Sequence, residues 1–301
     1  MALMCSKLDE LLQLLSLEKI EENFFRGHSQ DLGFGNIFGG QVLGQALSAA
    51  SQTVLADRKV HSLHGYFLRP GDPKMSIVYD VDRLRDGKSF TTRRVVAIQK
   101  GRPIFAMSCS FQINEPGFEH QMEMPDIEGP DGIMSDLDRY RNVQDRIPSA
   151  IRDKLVCEKP IEIRQVNPID PFKPRKSEPV KYAWFRAVGC MPEDQSVHQY
   201  MLAYASDFGL VATSIYPHGH TFWETSMQVA SLDHAMWFHQ EFRMDEWLLY
   251  VMESPAASKA RGLSHGHIFR RDGKLVASTT QEGLIRYKKF KKSSDISKRD
   301  T

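Results

Sequence analysis

The sequence feature that most constrains the fold is a repeated order of predicted elements. In each half of the 301-residue chain, a buried helix comes before a series of β-strands. The first helix begins near Phe38-Gly39-Gly40-Gln41 and is small and apolar on most sides, which is typical of a buried helix. A second helix of similar character is predicted over 198–214. One buried helix wrapped by a curved antiparallel sheet is an α+β layout, and we interpret its repetition as a tandem duplication.

The strands are predicted from alternation of apolar and polar residues and from turn signals. Residues 77–82 alternate in this way, and the Asp86-Gly87 that follows is a signal for a tight hairpin. Ser6, with Asp9 three residues later, predicts the start of a short helix before the first buried one. The other predicted strands cover 91–99, 104–113, 181–188, 227–233, 246–254, 262–270 and 275–287.

These elements divide the chain into four parts. Residues 1–114 form a predicted N-terminal domain and 159–287 a C-terminal domain. Residues 115–158, rich in Pro, Gly, Asp and Glu, are interpreted as a linker that is partly helical. Residues 288–301 are a basic tail, for which a solvated terminus is the simplest interpretation.

Composition excludes several classes of protein. The formal net charge of +1 argues against a nucleic-acid-binding surface, and no apolar run reaches the roughly 18 residues that span a membrane. The four cysteines are scattered, with neither zinc-ligand spacing nor a disulfide framework. The N-terminus does not have the pattern of a secretory signal, so a cytoplasmic location is expected.

Three short sequence motifs resemble functional sites but lack the neighbouring elements or ligands that those sites require. Gly262-Leu263-Ser264-His265-Gly266 matches the nucleophile-elbow pattern, but that motif needs a strand, a turn and then a helix, and here a hairpin is predicted. Gly33-Phe34-Gly35 does not follow a buried strand and lacks dinucleotide-loop spacing. The His-Gly-His stretches at 218–220 and 265–267 have no third ligand at convincing spacing. No cofactor and no metal are therefore expected.

Three polar residues of the second half are candidates for chemistry. Asp207 lies among apolar residues of the predicted helix, where a carboxylate is unfavourable unless it is paired or hydrated. It is either a general base or a capping residue where the helix breaks near Gly209. Ser231 and Gln281 lie on predicted strands, and each alone has the character of a hydrogen-bonded core group. Only the three together indicate a catalytic site.

The glycines at the start of the first helix form a further open question. Gly39 and Gly40 allow the backbone to approach another element closely. Free N–H groups at that helix start could face an anion or a developing oxyanion, or the glycines could serve packing alone.

Several longer stretches resemble the acyl-CoA thioesterase II family, and most closely its bacterial cytoplasmic members. The resemblance covers about Leu8 to Arg286. The residues that carry it are Phe38-Gly39-Gly40-Gln41-Val42-Leu43-Gly44-Gln45-Ala46-Leu47, His64-Gly65-Tyr66-Phe67-Leu68-Arg69-Pro70-Gly71-Asp72, Tyr204-Ala205-Ser206-Asp207, Ser231-Leu232-Asp233-His234-Ala235-Met236-Trp237-Phe238-His239, Glu253-Ser254-Pro255 and Ala277-Ser278-Thr279-Thr280-Gln281-Glu282-Gly283.

The resemblance implies a double hotdog fold and hydrolysis of fatty acyl-CoA to a free fatty acid and CoA. It assigns the active site to Asp207, to Ser231 at a position where other members carry Thr, and to Gln281. Of the three, only the carboxylate can accept a proton, so Asp207 is the expected base toward a water that all three hold. Counting from matched glycines places Cys109 opposite Gln281, so the first half is expected to be structural and to supply sheet and a substrate-tunnel wall.

Two other activities stay open from the sequence. A hotdog enoyl-CoA hydratase or dehydratase would need an acid/base histidine in the site, and a non-catalytic acyl-CoA-binding protein would release no thiol. Trp237, Phe238 and Trp247 are candidates for the wall of an acyl slot, with core packing as the alternative. Symmetric assembly, as a homotetramer or else a dimer, is expected from the family resemblance.

Overall fold

A computed structural model describes residues 6–33 and 35–288 of the chain. Its α-helices are α1 (Lys7–Leu15), α2 (Gly39–Ser51), α3 (Asp136–Asn142), α4 (Ser149–Val156), α5 (Gln195–Ser206) and α6 (Leu210–Thr213). Short 3-10 helices cover Gln144–Arg146 and Tyr216–His218. The strands are β1 (Glu18–Glu21), β2 (Phe24–Gly27), β3 (Lys59–Phe67), β4 (Ile77–Asp86), β5 (Phe90–Gln99), β6 (Arg102–Gln112), β7 (Ile161–Val166), β8 (Val180–Ala187), β9 (Met227–Ser231), β10 (Asp233–Phe238), β11 (Leu248–Ser258), β12 (Arg261–Arg270) and β13 (Leu275–Tyr287).

These strands form one antiparallel sheet with a nearly symmetric order. Twelve of them run β1-β2-β4-β5-β6-β3-β10-β13-β12-β11-β8-β7, and β9 pairs with β13 beside β10. The halves meet where β3 pairs with β10, for example at Gly65 and His234. Outward from this junction the order is β3, β6, β5, β4 in the first half and β10, β13, β12, β11 in the second. In each half the last three of these strands are consecutive in the chain and linked by hairpins. This correspondence confirms the predicted α+β layout.

The two central helices pack against each other through glycines. A Cβ added at Gly40 would lie 2.2 Å from the carbonyl oxygen of Tyr204, and one at Gly44 would lie 2.9 Å from that of Tyr200. Only glycine permits so close an approach of one helix to the backbone of another. Because the contact residues run in opposite directions along the chain, α2 and α5 are antiparallel. The N-terminus of α2 therefore lies beside the C-terminus of α5.

The predicted helix over 198–214 is wrong in one respect that matters for function. It divides into α5 and α6, and Asp207 is the C-terminal cap of α5, in agreement with the alternative interpretation of a capping residue where the helix breaks near Gly209. Gly209 adopts φ +83°, in the left-handed region that favours glycine, and this ends the first helix. The predicted strand over 227–233 likewise divides at Leu232 into β9 and β10.

The other predicted elements hold to within a few residues. Ser6 caps α1 in a capping box with Asp9, and Asp86 ends β4 at the predicted hairpin. The linker contains α3 and α4, as expected, while the division into domains stays a prediction. Of the basic tail, only Lys288 lies within the described residues. In the described part of the chain, none of the helices has the length and apolar character needed to cross a membrane.

Candidate active site

The three candidate residues of the second half lie together. The Nε2 of Gln281 donates a hydrogen bond to Oδ1 of Asp207 at 2.7 Å, and the Ser231 hydroxyl lies 3.5 Å from the same oxygen. Ser231 pairs with Gly283 in the β9–β13 register, two positions from Gln281 along β13. Residues two apart on a strand share a face, so the register itself sets the alcohol beside the amide. Asp207 reaches both from the end of α5.

The first half also contributes to this site. The backbone N–H of Gly40, in the first turn of α2, donates to Oδ2 of Asp207 at 2.9 Å. The first N–H groups of a helix have no partner inside the helix, and the helix dipole places positive potential there. The expectation that the first half is purely structural was therefore incomplete. The N–H of Gly40 faces an anion, as one of the two sequence interpretations had it, and that anion is Asp207.

The carboxylate of Asp207 is held on both oxygens and is only half-buried. A carboxylate offers about four lone-pair positions, and two are taken by Gly40 and Gln281. At 3.5 Å the contact with Ser231 is long enough for the hydroxyl to serve a third group as well. The carboxylate is thus fixed in orientation and retains acceptor capacity, which is what a general base needs.

Gln281 has no donor left for a substrate. Its side chain is fully buried, and its Nε2 donates both to Asp207 and to Nδ1 of His234, the latter at 3.1 Å. Its Oε1 is buried and has no hydrogen-bond partner among the described residues. The amide therefore orients the carboxylate with its nitrogen and retains only an acceptor.

His234 is the site residue that sequence reasoning missed. It is 1% exposed, and burial lowers the pKa of its imidazole to about 4, although the charge of Asp207 acts in the opposite direction. Its Nε2 lies 3.0 Å from the hydroxyl of Ser206, which donates to the carbonyl oxygen of Ala203. In the sequence it lies next to Asp233 in an otherwise apolar strand, within the stretch 231–239 that carries the family resemblance, and no feature of that stretch singled it out.

The matching position of the first half holds different chemistry. Cys109 faces Arg93 across the β5–β6 pair, as Gln281 faces Ser264 across β12–β13. Burial raises the pKa of the Cys109 thiol to about 12, so it stays protonated. The buried guanidinium of Arg93 donates to Thr53 and pairs with Asp86 at 2.6 Å. A thiol and a paired guanidinium cannot perform the base chemistry that a free carboxylate allows.

A large cavity lies beside the C-terminal end of α5. Its volume is about 670 Å³, within the 300–1,000 Å³ range of small-molecule sites. Its wall includes Phe208 and Gly209, the two residues that directly follow Asp207. Aromatic and aliphatic side chains form much of the rest, among them Ala183, Phe185, Tyr204, Ile215, Tyr250 and Met252.

The three aromatic residues proposed for an acyl slot do not line this cavity. Phe238 and Trp247 are buried in the core, and Trp247 packs in a cluster with Trp184. Trp237 is partly exposed and its ring meets that of His64. Core packing, the alternative interpretation, holds for the two buried residues.

The structure gives no support to the nucleophile-elbow or metal-site interpretations that the sequence analysis rejected. Ser264 lies in the middle of strand β12, fully buried, with no strand-turn-helix around it. Within the described residues, no three or more His, Cys, Asp or Glu side chains are grouped so as to hold a metal ion.

The sequence matches two family models. Residues 150–284 match the model described as acyl-CoA thioesterase, and residues 28–112 match the acyl-CoA thioesterase N-terminal domain. The first match contains Asp207, Ser231 and Gln281, and the second contains Gly40.

Known proteins of similar sequence and structure agree with these models. The chain is 44% identical to acyl-CoA thioesterase 2 of Haemophilus influenzae over 93% of this chain and 98% of that protein. The crystal structure of an acyl-CoA thioesterase II from Mycobacterium marinum is 40% identical, with a TM-score of 0.75 over 92% of this chain and 98% of that one. A protein from Alicyclobacillus acidocaldarius described as having a hotdog fold is 17% identical, with a TM-score of 0.74 over 92% and 98% of the two chains. This last likeness bears on the fold alone, and it confirms the expected hotdog architecture.

Proposed function

Because the chain belongs to the acyl-CoA thioesterase II family, we propose that it hydrolyses fatty acyl-CoA to a free fatty acid and CoA through a water activated at Asp207, Ser231 and Gln281. The observation that carries the proposal is the meeting of one carboxylate, one alcohol and one primary amide around Oδ1 of Asp207. No cofactor and no metal are required for this reaction.

The chemistry follows from what each group can donate or accept. Oδ1 of Asp207 accepts a proton from the water as the water oxygen bonds to the thioester carbonyl carbon. The carbonyl oxygen gains negative charge, and the carbon–sulfur bond breaks when the tetrahedral intermediate collapses. The proton then passes to the departing CoA thiolate. The half-buried position of Asp207 supports this role, since solvent and substrate can reach it.

The alcohol and the amide have separate tasks in this scheme. Ser231, 3.5 Å from the carboxylate, positions the water beside Asp207. Gln281 donates to the carboxylate at 2.7 Å and so keeps Oδ1 turned toward the attacking water. Any direct contact of Gln281 with the water runs through its acceptor oxygen, because both amide hydrogens are engaged.

The N-terminus of α2 lies where it can stabilise negative charge at the site. Its N–H at Gly40 is committed to Asp207 and is not free to bind the substrate carbonyl oxygen. The positive end of the helix dipole nevertheless lies next to the site and stabilises negative charge on nearby groups.

The cavity of about 670 Å³ is our candidate for the acyl chain. Its wall includes Phe208 and Gly209, which directly follow Asp207, while Asp207, Ser231 and Gln281 are not part of that wall. The carbonyl of a chain lodged there would have to reach past these two residues to lie beside Asp207. Its wall also contains charged side chains, among them Asp136 and Lys181. The aromatic and aliphatic part of the wall supports a hydrocarbon occupant, since burial of each CH₂ group contributes about 0.8 kcal/mol.

The competing hydratase or dehydratase activity would need a histidine that exchanges protons with substrate. His234 is the histidine in the network, but both of its ring nitrogens are occupied and burial lowers its pKa to about 4. It is a poor acid or base toward an enoyl-CoA at neutral pH. The observation favours hydrolysis.

We further propose a cytoplasmic protein that assembles as a homotetramer, with a dimer as the alternative. The free thiols of Cys157 and Cys190, both exposed, are compatible with a reducing compartment. Light scattering coupled to size exclusion measures the assembly directly.

The deciding experiment is release of free CoA thiol from acyl-CoA of several chain lengths by the purified protein. Hydrolysis predicts one thiol and one fatty acid per substrate consumed. Binding without thiol release would favour the non-catalytic acyl-CoA-binding protein. Conversion of enoyl-CoA to a hydroxyacyl-CoA without free thiol would favour the hydratase.

A further inference from the structure

Beyond the three site residues, a second layer of hydrogen bonds determines which way the Gln281 amide points. The layer consists of His234 on β10, Ser206 at the end of α5 and the Ala203 carbonyl one turn earlier. All of these side chains are buried in the second half. His234 and Ser206 do not line the large cavity, nor does Gln281, so any effect of this layer on the reaction would pass through the Gln281 amide to Asp207.

The direction of each hydrogen bond in this layer follows from which atoms can donate and which can only accept. The Ser206 hydroxyl donates to the Ala203 carbonyl oxygen at 2.9 Å, because a carbonyl oxygen can only accept. Its oxygen then accepts from Nε2–H of His234 at 3.0 Å. A neutral imidazole carries one hydrogen, so Nδ1 of His234 is an acceptor.

An acceptor at Nδ1 admits only one orientation of the neighbouring amide. Nδ1 lies 3.1 Å from Nε2 of Gln281, which donates to it, and the second hydrogen of Nε2 goes to Asp207. Turning the amide over would set Oε1 against both the carboxylate and the imidazole nitrogen, which are acceptors too. Asp207 and His234 therefore select the same orientation.

We infer that His234 is a positioning residue that, through its Ser206-fixed tautomer, holds the Gln281 amide with its nitrogen toward Asp207; this rests on the proposed function. The neutral state is stable at physiological pH because burial disfavours the imidazolium. Asp207 is the charged side chain whose field acts on His234, and the nearby Tyr250 hydroxyl is a neutral donor to the Ser206 carbonyl oxygen at 2.9 Å.

Two substitutions of His234 test its two hydrogen-bonding functions separately, because one keeps the acceptor at Nδ1 and the other keeps the donor at Nε2. In His234→Asn the side-chain oxygen takes the approximate place of Nδ1 and can still accept from Gln281. In His234→Gln the side-chain nitrogen takes the approximate place of Nε2, and the acceptor is lost. We expect His234→Asn to keep kcat within about threefold and His234→Gln to lower it about tenfold or more, with KM for acyl-CoA little changed in both.

A matched control is His198→Asn. His198 is also 1% exposed, accepts from the Met244 N–H at Nδ1, and lies near the opposite end of α5 from the site. Its loss is expected to lower the melting temperature while leaving kcat unchanged. Equal kcat in the two His234 variants would overturn the inference, because a merely structural histidine would not discriminate the position of an acceptor.

A second measurement reports the tautomer directly in the wild-type protein and does not depend on activity. Nitrogen-15 spectra of histidine-labelled wild-type protein at pH 7 report the tautomer of each ring. We expect both buried histidines, His234 and His198, to be neutral with hydrogen on Nε2, since Nε2 of His198 faces the Pro192 carbonyl oxygen and its Nδ1 accepts from Met244. Only the His234 signal is expected to lose this preference in Ser206→Ala. Hydrogen on Nδ1 of His234 would overturn the inference even if the enzyme is active. Absence of thiol release by the wild type would instead count against the proposed function and leave the spectrum to decide the tautomer.

Discussion

Oδ2 of Asp207 accepts a hydrogen bond of 2.9 Å from the backbone N–H of Gly40, a residue 167 positions earlier in the chain. The contact exists because α2 and α5 pack in antiparallel fashion through glycines, which brings the start of one helix to the end of the other. The two halves are therefore joined at the site as well as along the sheet. The orientation of this carboxylate in the second half depends on a helix start in the first.

Replacing Gly40 by alanine tests this dependence. The added Cβ would lie 2.2 Å from the Tyr204 carbonyl oxygen, so the helices must separate and the N–H must withdraw from Asp207. We expect a loss of about 1–3 kcal/mol in the free energy of unfolding, which is typical of overpacking, together with a lower kcat. Urea unfolding and thiol-release kinetics measure the two effects. In the control Gly117→Ala, where the Cβ meets no atom within 4 Å, neither quantity is expected to change.

Ser231 is expected to act through its hydroxyl. Ser231→Ala removes that group and should lower kcat about tenfold or more, in line with the loss of a hydrogen bond to a charged group or to the water. Ser231→Thr keeps the hydroxyl and is expected to retain most of the activity. The account of the water site fails at this residue if the alanine and threonine variants have the same kcat.

Cys109, the first-half counterpart of Gln281, should be dispensable for catalysis. Its thiol is buried and protonated, with a pKa of about 12, and it faces the paired Arg93. Cys109→Ala is expected to keep kcat/KM within about twofold and to lose on the order of 1 kcal/mol of stability through the smaller side chain. A tenfold fall in activity at unchanged stability would show that the first half has a chemical role that we do not assign.

Acid should weaken the fold through His234. Its folded-state pKa of about 4 lies below the ordinary value of 6.5, so between these values the unfolded chain binds a proton that the folded protein does not. The contribution of neutral His234 to the free energy of unfolding is fully present above pH 6.5. It falls as the pH drops toward 4, by roughly 3 kcal/mol, since one pKa unit corresponds to about 1.4 kcal/mol. Urea unfolding at pH 7.5 and pH 5 is expected to show a loss about 2 kcal/mol larger in wild type than in His234→Asn. Equal losses would place the acid sensitivity in other groups.

The helix-then-sheet repeat could be predicted from the sequence for local reasons, whereas the catalytic role of the three candidate residues stays a prediction. The small, apolar residues of α2 and the Asp86-Gly87 hairpin depend on neighbours in the chain, and such signals are visible in a single sequence. The family resemblance selected Asp207, Ser231 and Gln281 from many polar residues. The double hotdog fold that it implied is confirmed.

The remaining features depend on contacts between distant segments. The break after α5 uses the left-handed backbone of Gly209. The sequence offered a break near this glycine only as one of two interpretations, because a single glycine in an apolar stretch does not by itself end a helix. The hydrogen bond from Gly40 and the place of His234 beside Gln281 follow from helix packing and strand register. Neither can be read from spacing along the chain.

The most direct test of the central claim is kcat for thiol release by Asp207→Asn, compared with Asp245→Asn as a control. Both substitutions remove the charge of a hydrogen-bonded carboxylate, but Asp245 lies in an ion pair with Arg243 and caps the N–H of Met191, away from Ser231 and Gln281. If Asp207 is the base, its variant should fold normally, bind acyl-CoA and have a kcat lower by about 10²-fold or more, while the control keeps wild-type kcat. Near wild-type turnover by Asp207→Asn would contradict the account.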